Sequence, residues 1–293
     1  MPYGKTFSFE PAEWSYLTDK LRISSDVRAP IGRYDLPAAD LLDASSCTMY
    51  LDRLSELHDF SSRKVAASVL AKRYGFLIVS PALYAMSVYN KTLGVGMADC
   101  AIRSDFVKDI WLPRLHLNRL RVTEYGVEYG GGETEHGDRD NGDTAQHQRQ
   151  RHAWRDYVIG QVFAEHLAPI WRSVSAVASI PRTVLWENTA IYVYALYENR
   201  IRQEVNGGDR LRIEEDFKYL ICEAPAHLFG ERHNPLARYA GSARTQRTPI
   251  TSASTASIDT VKAVRVRKTC CYFYQMKDKG SYCPTCPKIH GTS

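Results

Sequence analysis

Nothing in this chain is apolar for long. The longest such run, FLIVSPALYAM from Phe76 to Met86, holds eleven residues including Ser80 and Pro81, about half of the ~20 that a membrane-spanning helix needs. The opening MPYGKTFSFEPAEW carries Lys5 and Glu10 and no apolar stretch, so no secretory signal is expected. Neither end shows a lipidation motif. A nucleophile elbow, a phosphate loop and paired carboxylates are all missing, which leaves hydrolase and kinase chemistry without machinery. No repeat of 20–50 residues is visible. Excess charge is also scarce: 38 Lys and Arg against 33 Asp and Glu give +5. That balance suits an anionic small molecule or an acidic partner and carries no nucleic-acid footprint. A cytoplasmic protein that does not span a membrane is expected. None of the nine histidines has a ligand-like spacing, and His58, His166 and His227 read as ordinary.

What is present is a globular composition. Of 293 residues, 44% are apolar and 24% charged, enough to bury about three quarters of the unfolded surface without disulfide staples. Helical spacing dominates. Pro11 to Arg22 puts Trp14, Leu17 and Leu21 on one face. Ser46 can cap a second helix with Tyr50, Leu51, Leu54 and Leu57, and Ser61 or Ser62 a third along Val65, Ala66, Val69 and Leu70. Gly75 should end that third helix and Pro81 open the next. Leu115, Leu117, Leu120 and Val122 alternate instead, which predicts one small antiparallel sheet or hairpin.

Residues 130–152 hold Gly, charge and His with almost nothing apolar, so this stretch reads as a mobile insertion. Its His136, His147 and His152 could bind a metal adventitiously, though a solvated loop is the plainer reading. Ala153 to Val177 is expected to be helical with a bend or break at Pro169. Another helix should start at Pro181 and stop at Asn206-Gly207-Gly208, and a short one should run from Glu214 to Phe229. Residues 241–257, GSARTQRTPITSASTAS, are small and polar and read as a linker. The expected organisation is therefore a helical body over 1–240, a linker over 241–257 and a tail over 258–293.

The chemistry concentrates in that tail. Of seven cysteines, Cys47, Cys100 and Cys222 are scattered, whereas Cys270, Cys271, Cys283 and Cys286 crowd together. In a reducing compartment such crowding means metal or redox chemistry rather than disulfides. Neighbouring side chains of an extended segment point opposite ways, so Cys270 and Cys271 would struggle to chelate one tetrahedral ion. A two-iron cluster offers two attachment points. The spacing is not the usual twin C-x2–4-C of zinc, although a zinc-stabilised interaction module stays open as an alternative.

TCCYFYQMKDKGSYCPTCP resembles the C-terminal signature of the FhuF-like ferric siderophore reductases: adjacent cysteines, about ten residues, then C-x2-C. Leu185-Trp186-Glu187-Asn188 and His233-Asn234-Pro235-Leu236 resemble further family stretches. The spacer here is eleven residues, and Lys277–Gly280 is where the extra one is placed. The resemblance implies an α+β fold: a mainly helical body, one small antiparallel sheet and a C-terminal iron–sulfur cluster-binding segment. It implies a 2Fe–2S cluster on Cys270, Cys271, Cys283 and Cys286. The implied reaction is one-electron reduction of an anionic ferric siderophore, releasing the iron as Fe(II). No nucleotide fingerprint occurs, so electrons would come from a ferredoxin, a flavodoxin or their reductase. A siderophore-binding or siderophore-biosynthesis relative without reductase activity is the other reading. Trp186, Asn188, Arg267 and Lys268 are the candidate substrate residues, with Arg232, Arg238, Arg244 and Arg247 between body and tail. Arg265, Lys277 and Lys279 add positive charge around the cysteines, and Val266, Tyr272 and Phe273 could shield them.

Overall fold

The computed structural model describes residues 8–25, 32–108, 110–125, 141–205, 209–246, 262–276 and 282–290. Its first helix, α1 (Pro11–Asp19), opens with Pro11 and a capping box in which Glu13 accepts the Glu10 N–H at 2.8 Å. That pairing satisfies amides which the first turn leaves without partners. The second, α2 (Ala44–His58), is capped by Asp43, whose carboxylate takes the Ser46 N–H at 2.8 Å. Ser46 is thus inside the helix rather than at its cap. Left-handed Asp59 ends it.

The central element is α3 (Arg63–Tyr89), 27 residues long and buried on every side through its second half. It runs straight through Gly75 and Pro81, where the sequence predicts a stop and a restart. Packing overrides the local signals. A Cβ on Gly75 would lie 3.3 Å from the Thr189 Cα of a neighbouring helix, so glycine there serves close approach. Pro81 sits where burial on all sides holds the helix together despite one missing amide hydrogen bond.

Helix α4 (Asn141–Gly160) passes through a π-helical stretch, Gln161–Leu167, into α5 (Ala168–Ala178). The wider π turn lies just ahead of Pro169, where an α-helix would need an amide that proline lacks. Of the segment read as an insertion, residues 130–140 lie outside the described residues, while the part from Asn141 onward is helical. It is also anchored: Arg151 and Arg155 reach the buried Asp216 at 2.7 and 3.4 Å, and Ser87 of α3 donates to the same carboxylate at 3.0 Å. Helix α6 (Arg182–Ala195) follows Pro181 and continues through a π stretch, Leu196–Ile201, into α7 (Arg202–Glu204). Helix α8 (Asp209–Lys218) begins five residues before the predicted Glu214 and gives way to the turns Tyr219–Glu223 and Ala226–Phe229 around Pro225.

The fold is α+β and mainly helical, as expected, but its strands pair differently from a single hairpin. A four-stranded sheet runs in the order β1 (Ile23–Ser24), β7 (Arg114–Leu117), β4 (Cys100–Arg103), β2 (Leu36–Pro37). Its β1–β7 pair is parallel and the others antiparallel. Strand β3 (Lys91–Leu93) takes β8 (Val122–Glu124), and β5 (Phe106–Val107) takes β6 (Ile110–Trp111). The runs around Leu115 and Val122 therefore join different partners. The chain turns away between them because the Arg121 carbonyl accepts the Gly94 N–H at 2.8 Å. Only glycine fits that approach, since a Cβ would stand 2.9 Å from Arg121 Cβ. Finally, β9 (Ala243–Gln246) pairs antiparallel with β10 (Lys262–Arg265). Residues 243–246 of the stretch read as linker are thus a strand, and 247–261 lie outside the described residues. Cys47 is buried in α2 and Cys100 in β4, while Cys222 is exposed.

Candidate iron–sulfur centre

The tail is held to the body by one turn of α6. Glu187 and Asn188 are both buried there, at 2% and 0% exposure. The Glu187 carboxylate accepts the backbone N–H of Lys268 at 2.6 Å and of Thr269 at 2.8 Å, and also the Thr269 hydroxyl. Asn188 donates to the Ser68 carbonyl and hydroxyl oxygens, both at 3.0 Å, and accepts from Arg267 at 2.5 Å. Arg267 in turn lies 3.7 Å from Glu187, a buried ion pair. Ser68 of α3 completes the clamp by donating to the Cys271 carbonyl at 2.8 Å. A second tether is Arg265, which pairs with Glu198 and stacks 4.0 Å above the Tyr194 ring.

This clamp fixes where the thiols stand. The Arg267 N–H donates to the Thr285 carbonyl at 2.9 Å, joining the two halves of the motif, and the Cys286 N–H closes a turn on Cys283 at 2.9 Å. Cys271, Cys283 and Cys286 are buried against one another with Phe273 beside them, and the Cys271 and Cys283 sulfurs are 3.5 Å apart. Cys270 is half-buried and outside that trio, its sulfur taking the Tyr272 N–H at 3.4 Å. Tyr272 makes the turn with a positive φ of 57°.

Two cations flank the trio. Lys72 of α3 sits 5.2 Å from the Phe273 ring centre. The contact with Cys283 holds the Cys271 thiol well below its ordinary value, and Lys72 and Arg267 add to the effect. The same contact pushes Cys283 up, so the pair gives up its first proton readily and its second reluctantly. Burial in turn lowers Lys72 from its ordinary value. An all-thiol donor set, cations alongside and amides donating to sulfur are what a thiolate-bound cluster requires. Among the described residues no three His, Cys, Asp or Glu side chains form a ready single-ion site. Four thiols on one short segment are the donor number that a two-iron cluster takes.

Residues 68–246 match the family described as ferric iron reductase FhuF-like transporter, and residues 267–288 match the FhuF 2Fe-2S C-terminal domain. The chain belongs to the FhuF-like family. The cofactor of such a tail is a 2Fe–2S cluster. Among the described residues of this FhuF-like chain, no helix is long and apolar enough to cross a membrane. No curated protein matches significantly. Among solved structures it is similar to aerobactin synthetase IucC from a hypervirulent pathotype of Klebsiella pneumoniae, at 12% identity and a TM-score of 0.41. That match covers 69% of this chain and 35% of the synthetase, so the chain spans about a third of that enzyme's length.

The remaining sequence candidates fall in three places. Asn188 and Arg267 are committed to the clamp and to each other. Trp186 lines a cleft of about 420 Å³ with Arg182, Arg232, His233 and Arg238. Its indole N–H goes to Glu231 at 3.2 Å. Lys268 reaches the Arg238 carbonyl, beside that cleft. Arg244 lies on β9, and Arg247, Lys277 and Lys279 are outside the described residues. Tyr272 and Phe273 are half-buried at the thiols. Sequence reasoning missed Ser68, Lys72 and the anchoring role of Glu187. A charged residue within the apolar run Val184–Leu185–Trp186 was the one available signal.

Proposed function

We propose that this FhuF-like protein reduces ferric siderophores by one electron in the cytoplasm, through a 2Fe–2S cluster on Cys270, Cys271, Cys283 and Cys286. When bound, the cluster supplies a one-electron store. The protein's own residues do the rest. Glu187, Asn188 and Ser68 hold the cysteine segment on the body. Lys72 and Arg267 favour thiolates over thiols and offset the negative charge that accumulates on reduction. Phe273 keeps water from one side of the sulfurs, and the basic surroundings draw in anionic chelates.

The observation that carries this reading is the clamp. A cysteine segment with no pocket of its own is fixed by buried hydrogen bonds to a helical body large enough to bind a chelate. Fe(III) is held by hard siderophore oxygens that hold Fe(II) far less well, so one electron is enough for release. An external donor, a ferredoxin, a flavodoxin or their reductase, would restore the electron. The test is Cys283→Ser in the full chain. Binding of a ferric siderophore should stay within about tenfold of wild type, roughly 1.4 kcal/mol, while Fe(II) captured by a ferrous chelator should fall to background. Undiminished turnover would overturn the proposal.

A further inference from the structure

One turn beyond the clamp lies a feature that the reductase reading does not use. Lys72 faces Cys271. The next residue, Arg73, points about 100° around α3 into a cleft of about 180 Å³ formed with Arg22, Phe76, Leu77, Pro113 and Tyr192. No carboxylate lines it. Arg73 makes no hydrogen bond or ion pair with another described residue. Arg22 gives one N–H to the Leu112 carbonyl, and Asp105, whose carboxylate acts on it, also pairs with Arg114 at 4.0 Å. Burial lowers the Arg22 guanidinium first, and Arg114 and Arg73 lower it further. Two like charges thus share a partly buried cleft with little to neutralise them. Arg22 is also held in the left-handed region at φ 66°, a conformation that costs a non-glycine residue about 1 kcal/mol or more.

The cleft continues. Phe76 and Tyr192, in edge contact at 5.4 Å, also border a cavity of about 520 Å³ with Lys20, Arg200 and Glu204. Glu204 keeps its charge while accepting from the hydroxyls of Tyr16 and Tyr84, and against it Lys20 and Arg200 leave this lining with a net positive charge. The position relative to the tail is set by the helices. Tyr192 follows Asn188 by one turn of α6, and Arg73 follows Lys72. On the other side Met276 of the tail bridges to Phe60, which stacks on His58, a neighbour felt by Arg73.

We propose that this cleft is the anion-recognition site for the metal chelate. Arg22 and Arg73 would take carboxylate or catecholate oxygens in charge-assisted hydrogen bonds, Phe76 and Tyr192 would wall the ligand, and the chelate would lie against the cysteine segment. The identity of the ligand rests on the reductase reading; the anion site itself rests on the arginines. The cleft at Trp186 is the rival, but its Arg182 is already paired with Glu231 at 2.9 Å.

The experiment uses redox-inert probes, the trianionic gallium tris-catecholate and a neutral gallium trihydroxamate, bound to the full cluster-loaded protein and measured by calorimetry. Arg73→Gln and Arg22→Gln should each weaken the anionic probe at least tenfold and the neutral one less than about twofold. Arg238→Gln, in the rival cleft, should leave both unchanged. Visible absorbance and melting temperature check that each variant keeps its fold and cluster. A loss confined to Arg238→Gln, equal losses of both probes in the Arg73 and Arg22 variants, or failure of wild type to bind the anionic probe would each overturn the site. Oxidation of the reduced protein by the ferric forms of the two chelates judges the reductase reading separately.

Discussion

Glu187→Gln isolates the clamp from the chemistry. The wild-type carboxylate takes two backbone amides and a hydroxyl of residues 268–269 and sits against the buried Arg267. The amide of Gln keeps one acceptor oxygen and turns the other position into a donor facing donors. It also leaves Arg267 buried without its counter-charge. Removing one partner of a buried ion pair costs about 3–5 kcal/mol. Asn188 still accepts from Arg267, so the lower end, about 3 kcal/mol, is the better figure. That is on the order of a hundredfold shift toward the undocked tail at 1.4 kcal/mol per tenfold. Glu187 faces the tail and not the packed interior of the body, so the body's melting temperature should barely move. Hydrogen exchange over 267–272 should accelerate by about two orders of magnitude, and visible absorbance should bleach faster in air. The double variant Glu187→Gln, Arg267→Met should recover part of the loss, because no buried charge is then stranded. Exchange and bleaching at wild-type rates in Glu187→Gln would refute the clamp.

Two further outcomes follow from burial. Serine at Cys47, Cys100 or Cys222 should leave two irons and two labile sulfides per chain, the 2Fe–2S composition, whereas serine at any of the four tail cysteines should lower the content or shift the spectrum. Loss of iron on replacing one of the scattered three would break the ligand assignment. His166 is fully buried, with Nδ1 donating to the Val95 carbonyl at 2.5 Å and Nε2 2.5 Å from the Tyr74 hydroxyl, and burial lowers it to about 4. The unfolded chain therefore binds this proton first. The stabilisation is complete above the ordinary value of 6.5 and is lost as pH falls from there toward 4. Urea midpoints should drop between pH 7 and pH 5 with a slope near one proton. His166→Gln should flatten that slope, and an unchanged slope would assign the acid sensitivity elsewhere.

The thiol motif was legible because its meaning lies in spacing along a short stretch of chain. Four cysteines within seventeen residues need no tertiary information to suggest a cluster. Helices were legible from period and punctuation where the chain faces water on one side, as at α1 and α2. They were misread where burial is complete: Gly75 and Pro81 look like breaks, but α3 is enclosed and its packing against Thr189 decides. The strand partners were hidden for another reason. Leu115 and Val122 announce strands, yet β7 pairs with β1 and β4 and β8 with β3, which depends on the Gly94–Arg121 contact. The clamp was invisible because Ser68 and Cys271 stand 203 residues apart, and Glu187 and Lys268 stand 81 apart. Asn188 stands out in sequence for its family stretch beside Trp186 and Arg267 for its charge near the cysteines, and neither signal says that the two side chains bond each other in the clamp.

The central claim is that an electron held in the tail leaves to iron on a chelate bound by this protein. A single-turnover mixing experiment tests it most directly. The protein is reduced under anaerobic conditions, freed of reductant and mixed with a ferric tris-catecholate in the presence of a ferrous trap. Reoxidation followed by the visible bands should proceed with the appearance of one Fe(II) per cluster, and the Arg73→Gln variant should need a higher chelate concentration for the same rate. A cluster that stays reduced in the presence of the chelate, or that reoxidises without matching Fe(II), would contradict it.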